Sequence, residues 1–190
     1  MRFKIAFNSP VILIFFLISF VALSLSWITN GASNDLLFSV YNSSLTNPFT
    51  YIRFFGHIFG SADWSHFIGN AMLLLVIGPM IEEKYGSYNL VVIIVTTAIL
   101  TGLVNFVLFP DVRLLGASGV VFALILLSSF SGMREGQIPM TFILVAVIYI
   151  GGQVYDGLFV DDNVSNLTHI IGGAIGAGFG FYMNTRKMIK

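Results

Sequence analysis

The sequence predicts an all-α membrane protein built as a bundle of six transmembrane helices, and three observations carry that prediction. Hydrophobic residues make up 56% of the 190-residue chain and charged residues only 9%, against roughly 25% charged in an ordinary soluble domain. The apolar residues collect into six runs separated by polar stretches. Within these runs there is essentially no charge, whereas serine, histidine and asparagine gather near their ends. Nine basic and nine acidic residues cancel, leaving no basic stripe for nucleic acid. The absence of cysteine removes disulfides, thiolate nucleophiles and Cys-based metal sites.

The first run, 10–28, follows Arg2 and Lys4 as a signal peptide would. It is longer than the apolar core of roughly 7–15 residues such a peptide carries, and no small-residue cleavage site follows, so it reads as a membrane anchor. The long connection 29–65 is rich in aromatics ("PFTYIRFFGHIFGSADW"), which suits a segment lying in the membrane interface. The remaining runs are 66–81, 90–109, 116–130, 138–152 and 168–183. A spanning helix needs about 20 apolar residues. The second, fourth and sixth runs have about 16, which covers about 24 Å, so a locally thin bilayer or wet pockets at the helix ends are expected. No internal repeat is visible, and the chain reads as one membrane domain over 1–190.

Basic residues are retained on the cytoplasmic side of short loops. With six spans, one face carries Arg2, Lys4, Lys84, Arg134, Arg186, Lys187 and Lys190 together with both termini, and the other only Arg53 and Arg113. Both termini are therefore expected inside the cell.

In that topology the second, fourth and sixth spans all run inward from the outer face. His66 and Asn70 open the second, Ser118 the fourth and His169 the sixth, so four polar groups share one layer below the outer surface. Polar side chains in a span are costly unless they face one another or a wet cavity. A serine hydroxyl becomes nucleophilic when a histidine takes its proton, which assigns Ser118 and His169 as nucleophile and base. His66 and Asn70, spaced i, i+4, lie on one helix face and can aim N–H groups at one point as an oxyanion hole. Gly116 and Gly119 flank the serine and allow a close backbone approach, while Gly172, Gly176 and Gly180 form a small-residue stripe expected to pack on the fourth span. The bland alternatives are a serine bonding its own helix carbonyl and histidines that only tie helices together.

Together "GASG" (116–119), "HFIGN" (66–70), "EEKYG" (82–86) and "HIIGGAIG" (169–176) resemble the bacterial rhomboid intramembrane serine proteases in their minimal six-helix form, over about residues 48–183. The resemblance implies a Ser118–His169 dyad without an aspartate, with His66 and Asn70 assisting the oxyanion. It also implies structural roles for Glu82 and Gly86, and matches Arg53 and His57 to a first-loop R-x-x-x-H. Relatives commonly carry Trp where Ile52 stands, Tyr where Phe122 stands and a loop His where Ser61 stands. Phe122 can still stack on the His169 ring but offers no hydroxyl.

The expected activity is hydrolysis of a peptide bond in or near the transmembrane segment of single-span membrane proteins, with the lipid bilayer as the other partner. No cofactor and no metal are implied, there being no H-E-x-x-H. The location implied is the bacterial inner membrane. A rival of another class is a rhomboid-like protein that binds transmembrane segments without cutting them, although such a protein should have lost the serine or the histidine. A transporter or channel would place charges within its spans.

Overall fold

A carboxylate fastens the first helix to the rest of the bundle. In the computed structural model, which describes residues 7–130, 137–159 and 163–188, helix α1 (Pro10–Ile28) begins with proline at its first position, where a missing N–H costs nothing. The next N–H groups have no partner within the helix. Glu82, 4% exposed, accepts from Val11 N at 3.1 Å and Ile12 N at 3.2 Å, and its first oxygen also accepts from the Ser87 hydroxyl at 2.7 Å. A carboxylate this far from water must have its lone pairs filled, and the negative charge suits the positive end of α1. Glu82 is thus a helix cap reaching across the fold. Gly78 lets Ile12 approach alongside it.

Between α1 and the next long helix the chain forms a π-helical turn (Asn34–Phe38), helix α2 (Pro48–Gly56) and a 3₁₀ turn (His57–Phe59). Asn47 caps α2, its side chain accepting from Phe49 N at 3.0 Å. Helix α2 exposes Phe49, Tyr51, Ile52 and Phe55 and buries Thr50, Arg53 and Gly56, the division expected of a helix lying along an interface. Arg53 is held by Tyr41, Ser43 and Thr50 hydroxyls and lies over the Tyr41 ring. Val40 and Leu114 exchange both backbone hydrogen bonds, and the buried Asn105 amide donates to the carbonyls of Val40 and Val112, both at 3.0 Å. Arg113 pairs with Asp35. The first loop is in this way tied to the chain that leads into Ser118.

Helix α3 (Trp64–Tyr85) starts where Asp63 Oδ1 accepts from His66 N at 2.8 Å and stops at Gly86, whose φ of +83° an L side chain rarely adopts. Helix α4 (Ser87–Leu108) follows after that single residue. Helix α5 (Ser118–Ser129) has only 12 residues, and helices α6 (Met140–Phe159) and α7 (Asn163–Met188) complete the chain. The spans drawn from hydropathy therefore need correction. Polar end residues extend α3 to 22 residues and α7 to 26, so only α5 is short. His169 is accordingly the seventh residue of α7 and not part of its opening turn. Among the described residues, α1, α3 and α4 are long and apolar enough to cross a bilayer. Arg2, Lys4, Arg134 and Lys190, four of the seven basic residues expected on the inner face, lie outside the described residues.

Helix α5 is the centre of the bundle, packing against α3, α4, α6 and α7. Its Val120, Val121, Ala123, Leu124 and Leu127 join Ile12, Leu74, Ile93 and Ala98 in one buried cluster. The closest approach is to α7. A Cβ on Gly172 would overlap the Gly119 carbonyl oxygen and stand 2.9 Å from its carbon; one on Gly176 would overlap the Ala123 carbonyl and stand 2.8 Å from its Cα; one on Gly180 would meet the Phe130 ring at 2.6 Å. Nothing lies within 4 Å of the corresponding point on Gly178. Helices α3 and α6, by contrast, make no contact among the described residues.

This contrast between neighbouring glycines makes a stability test. Gly176→Val drives a side chain into α5 backbone that cannot rotate aside, an overpacking that costs about 1–3 kcal/mol or more. Gly178→Val meets open space and carries only the small helix-propensity change of a surface site. Thermal unfolding of the two variants in detergent should show a clear loss for the first and little change for the second; equal tolerance would mean that the two helices do not pack through this stripe.

Candidate active site

The geometry around Ser118 follows from the residue two places before it. Gly116 has φ +137°, a conformation that breaks the chain direction immediately ahead of α5. Its N–H donates to the His57 carbonyl at 2.8 Å, so the first loop fixes the turn. A side chain at Gly116 would strike the His66 ring, with Cε1 at 2.8 Å and Nε2 at 3.0 Å, and would lie 3.7 Å from Ser118 Oγ. The bare glycine thus lets an imidazole edge from α3 and the hydroxyl of α5 share one spot.

The protonation of His66 can be read from its other nitrogen. Nδ1 accepts from the Ala62 backbone N–H at 3.4 Å. In the neutral ring the proton then resides on Nε2, the nitrogen that faces Gly116, which makes it a donor toward the serine. Asn70, one turn further along α3 and half-buried, gives one amide hydrogen to the His66 carbonyl at 3.1 Å and keeps the second. Ala117, the residue before α5, has no side-chain acceptor, and no side chain caps this helix. The first N–H groups of α5 are left to a ligand, at the end of the helix where negative charge is favoured.

His169 reaches this region through α7. Its ring lies 4.5 Å, centroid to centroid, from that of Phe122, tilted by 46°. Phe122 is one turn after Ser118 on the same face of α5. Thr168 packs its methyl 3.5 Å from the Cβ position of Gly119. The glycine contacts below it hold the two backbones together, so His169 lies over the face of α5 that begins with Ser118. Ser118, His66, Asn70 and His169 are each half-buried. The structure therefore gathers Gly116, Ser118, Gly119 and Phe122 with His66 from α3 and His169 from α7, while Asn70 flanks this group on the α3 side.

In the scaffold beneath, sequence reasoning passed over the backbone roles. His57 is 1% exposed, with Nδ1 against the Arg53 carbonyl and Nε2 against the Thr101 hydroxyl, each at 3.2 Å. Gly102 leaves room for its ring. Its carbonyl is what anchors Gly116, a role no side-chain motif could announce. Asp63 sets the start of α3 and so the height of His66; its signal in the sequence is an N-cap residue ahead of an apolar run.

Comparison with known proteins finds relatives over most of this chain. A model of the Rhomboid domain matches residues 48–186. Rhomboid-related protein 1 of Caenorhabditis elegans is 27% identical over 138 residues, which are 68% of this chain and 39% of that protein. Rhomboid protease GlpG of Salmonella paratyphi A and that of Salmonella choleraesuis are each 30% identical over 141 residues, 71% of this chain and 50% of each relative. The chain thus spans half or less of the length of these curated relatives.

Burial lowers the His57 pKa to about 4 from 6.5. Between those values the unfolded chain binds more protons than the folded one, so stability rises with pH across this window and is lost as pH falls from about 6.5 towards 4. The loss approaches about 3 kcal/mol. Unfolding temperature should fall more steeply over this range in the parent than in His57→Gln, and parallel curves would show that His57 is not the buried neutral group.

Proposed function

Because the chain belongs to the rhomboid family, we propose that it is an intramembrane serine protease that cleaves membrane-anchored proteins in or near a single transmembrane segment. The observation that carries this reading is that His66 Nε2 and Ser118 Oγ both border the side-chain position that Gly116 leaves empty, at 3.0 and 3.7 Å from it. A donor aimed beside a nucleophile at a helix N-terminus has no structural need to be there, and oxyanion stabilisation supplies one.

In this mechanism His169 takes the Ser118 proton as Oγ attacks the scissile carbonyl. The oxyanion is received by His66 Nε2–H, the second Asn70 amide hydrogen and the first N–H groups of α5. His169 then returns the proton to the leaving amine, and water, deprotonated by the same ring, releases the acyl group from Ser118. Stacking on Phe122 orients the imidazole in place of an aspartate. The substrate must present an unwound segment, because a helix hides its carbonyls in its own hydrogen bonds.

The topology that suits this chemistry has six spans, with the short α5 among them, both termini in the cytoplasm and the first loop on the outer face of a bacterial inner membrane. The non-catalytic alternative, a binder of transmembrane segments, is separated by a fluorophosphonate probe, which labels Ser118 only where the serine is activated. Ser118→Ala and His169→Ala should each abolish cleavage of a tagged single-span substrate and leave the fold intact, with the double variant no worse than either single. Appreciable cleavage by pure Ser118→Ala protein would end this reading. His66→Ala and Asn70→Ala should each slow turnover by about 10²–10³-fold without silencing it. If both cleave at the parental rate, the pair is structural.

A further inference from the structure

The peptide unit that joins Ser61 to Ala62 has no backbone hydrogen bond at either end among the described residues. Side chains take both ends instead. The Ser61 carbonyl accepts from Asn34 Nδ2 at 3.1 Å, and the Ala62 N–H donates to His66 Nδ1 at 3.4 Å. A trans peptide is planar, with its C=O and N–H pointing to opposite sides, so whatever fixes the carbonyl also fixes the direction of the N–H. Asn34 thereby reaches the His66 ring through one rigid plate. The link is electronic as well, since hydrogen bonds in a chain polarise one another and strengthen the next donor.

A local irregularity of the backbone places Asn34. It opens the π-helical turn Asn34–Phe38, a rare form of helix that is frequent at functional sites. Two glycines seat this turn, because a Cβ on Gly56 would overlap the Leu37 carbonyl oxygen and one on Gly60 that of Phe38. The next residue, Asp35, is held through its carboxylate by Arg113 and through its carbonyl by the Tyr41 hydroxyl at 3.0 Å. Asn34 Oδ1 is buried without a partner. An unmet buried acceptor costs stability, and the fold keeps it together with the single donation to Ser61.

The bond that this plate delivers is the one that most needs support. At 3.4 Å it is long, and it is the only hydrogen bond of the His66 ring among the described residues. A ring carrying its proton on Nδ1 would turn a bare Nε2 lone pair towards Gly116 and Ser118, where it would repel an oxyanion. We propose that Asn34 is a positioning residue: by holding the Ser61 carbonyl it keeps the Ala62 N–H on His66 Nδ1, and so keeps the His66 proton on Nε2, facing the oxyanion. The segment between α1 and α2 then takes part in turnover, although it lies outside the residues 48–186 that match the family model. This rests on the reading of His66 as an oxyanion donor.

The test uses the full chain in detergent with a single-span substrate, rates being normalised to the serines titrated by fluorophosphonate. Asn34→Ala removes the donor, and Asn34→Asp removes it while keeping the shape of the side chain should Ala loosen the turn. Each should lower kcat about tenfold with KM unchanged, a size within the range of couplings inside one hydrogen-bond network. In a His66→Ala background neither should have a further effect, whereas a residue that only steadies the loop would cause the same loss in both backgrounds. Nitrogen NMR of protein labelled in its histidine rings gives a readout independent of turnover. The parent should show the His66 proton on Nε2, and Asn34→Asp should move part of that population to the Nδ1–H tautomer. Parental kcat in both Asn34 variants beside a slow His66→Ala overturns this inference alone, as does an equal fold-loss in the two backgrounds or an unchanged tautomer. Parental turnover in His66→Ala overturns the oxyanion role and this inference with it.

Discussion

The arrangement depends above all on how closely α5 and α7 can approach. In lipid, apolar side chains gain little by leaving one apolar surrounding for another, so helices associate through van der Waals contact and hydrogen bonds. Gly172 against the Gly119 carbonyl and Gly176 against that of Ala123 bring backbone against backbone with nothing between. Dispersion falls steeply with distance, so contact at this range is where such packing is strongest. The proposed nucleophile and base are carried by these two helices, just outward of the tightest contacts. Chemistry that tolerates only a fraction of an ångström of drift is therefore set beside the part of the fold least able to drift.

Around that pair the polar groups form two belts. At the end of the bundle where α3 meets α4, Glu82 caps α1 and receives Ser87, while the buried Asn184 amide donates to Tyr85 Oη at 2.9 Å, joining α7 to the end of α3. On the other side Arg53, His57, Asn105 and the Val40–Leu114 bridge bind the first loop to the approach to Ser118. Each belt links elements far apart in sequence. Such bonds are hard to replace in an environment that offers no water, and they leave the middle of the bundle to plain apolar packing.

Hydropathy located the six longer helices but not α2, because an apolar run has few other uses in a chain so poor in charge whereas α2 is amphipathic. It misplaced their ends. Asp63 and Gly86 set α3 by capping and by a left-handed stop, and α7 begins five residues before its apolar run because Asn163 to Leu167 can be helical without being greasy. The polar residues of the candidate site stood out against an apolar background, as did the four-residue spacing of the glycines. Backbone roles did not. The His57 carbonyl that holds Gly116, the Ala62 N–H that sets the His66 tautomer and the Glu82 bonds to a helix seventy residues away exist only once the fold has formed. Residue identity encodes them weakly.

The shortness of α5 sets a depth gauge. Twelve residues rise about 18 Å, against a hydrocarbon layer of about 30 Å. If its far end reaches the inner boundary, Ser118 at its head stands about 12 Å beneath the outer one, and α5 itself does not fill the length above it. The hydrolysis proposed above needs water at the same place as the peptide, and a truncated helix would leave room for it there without a channel. The same truncation selects by position. A transmembrane segment would be read where its backbone can unfold at that depth, so the location of a helix-breaking residue relative to the membrane surface, more than its chemical neighbours, would decide where the chain is cut.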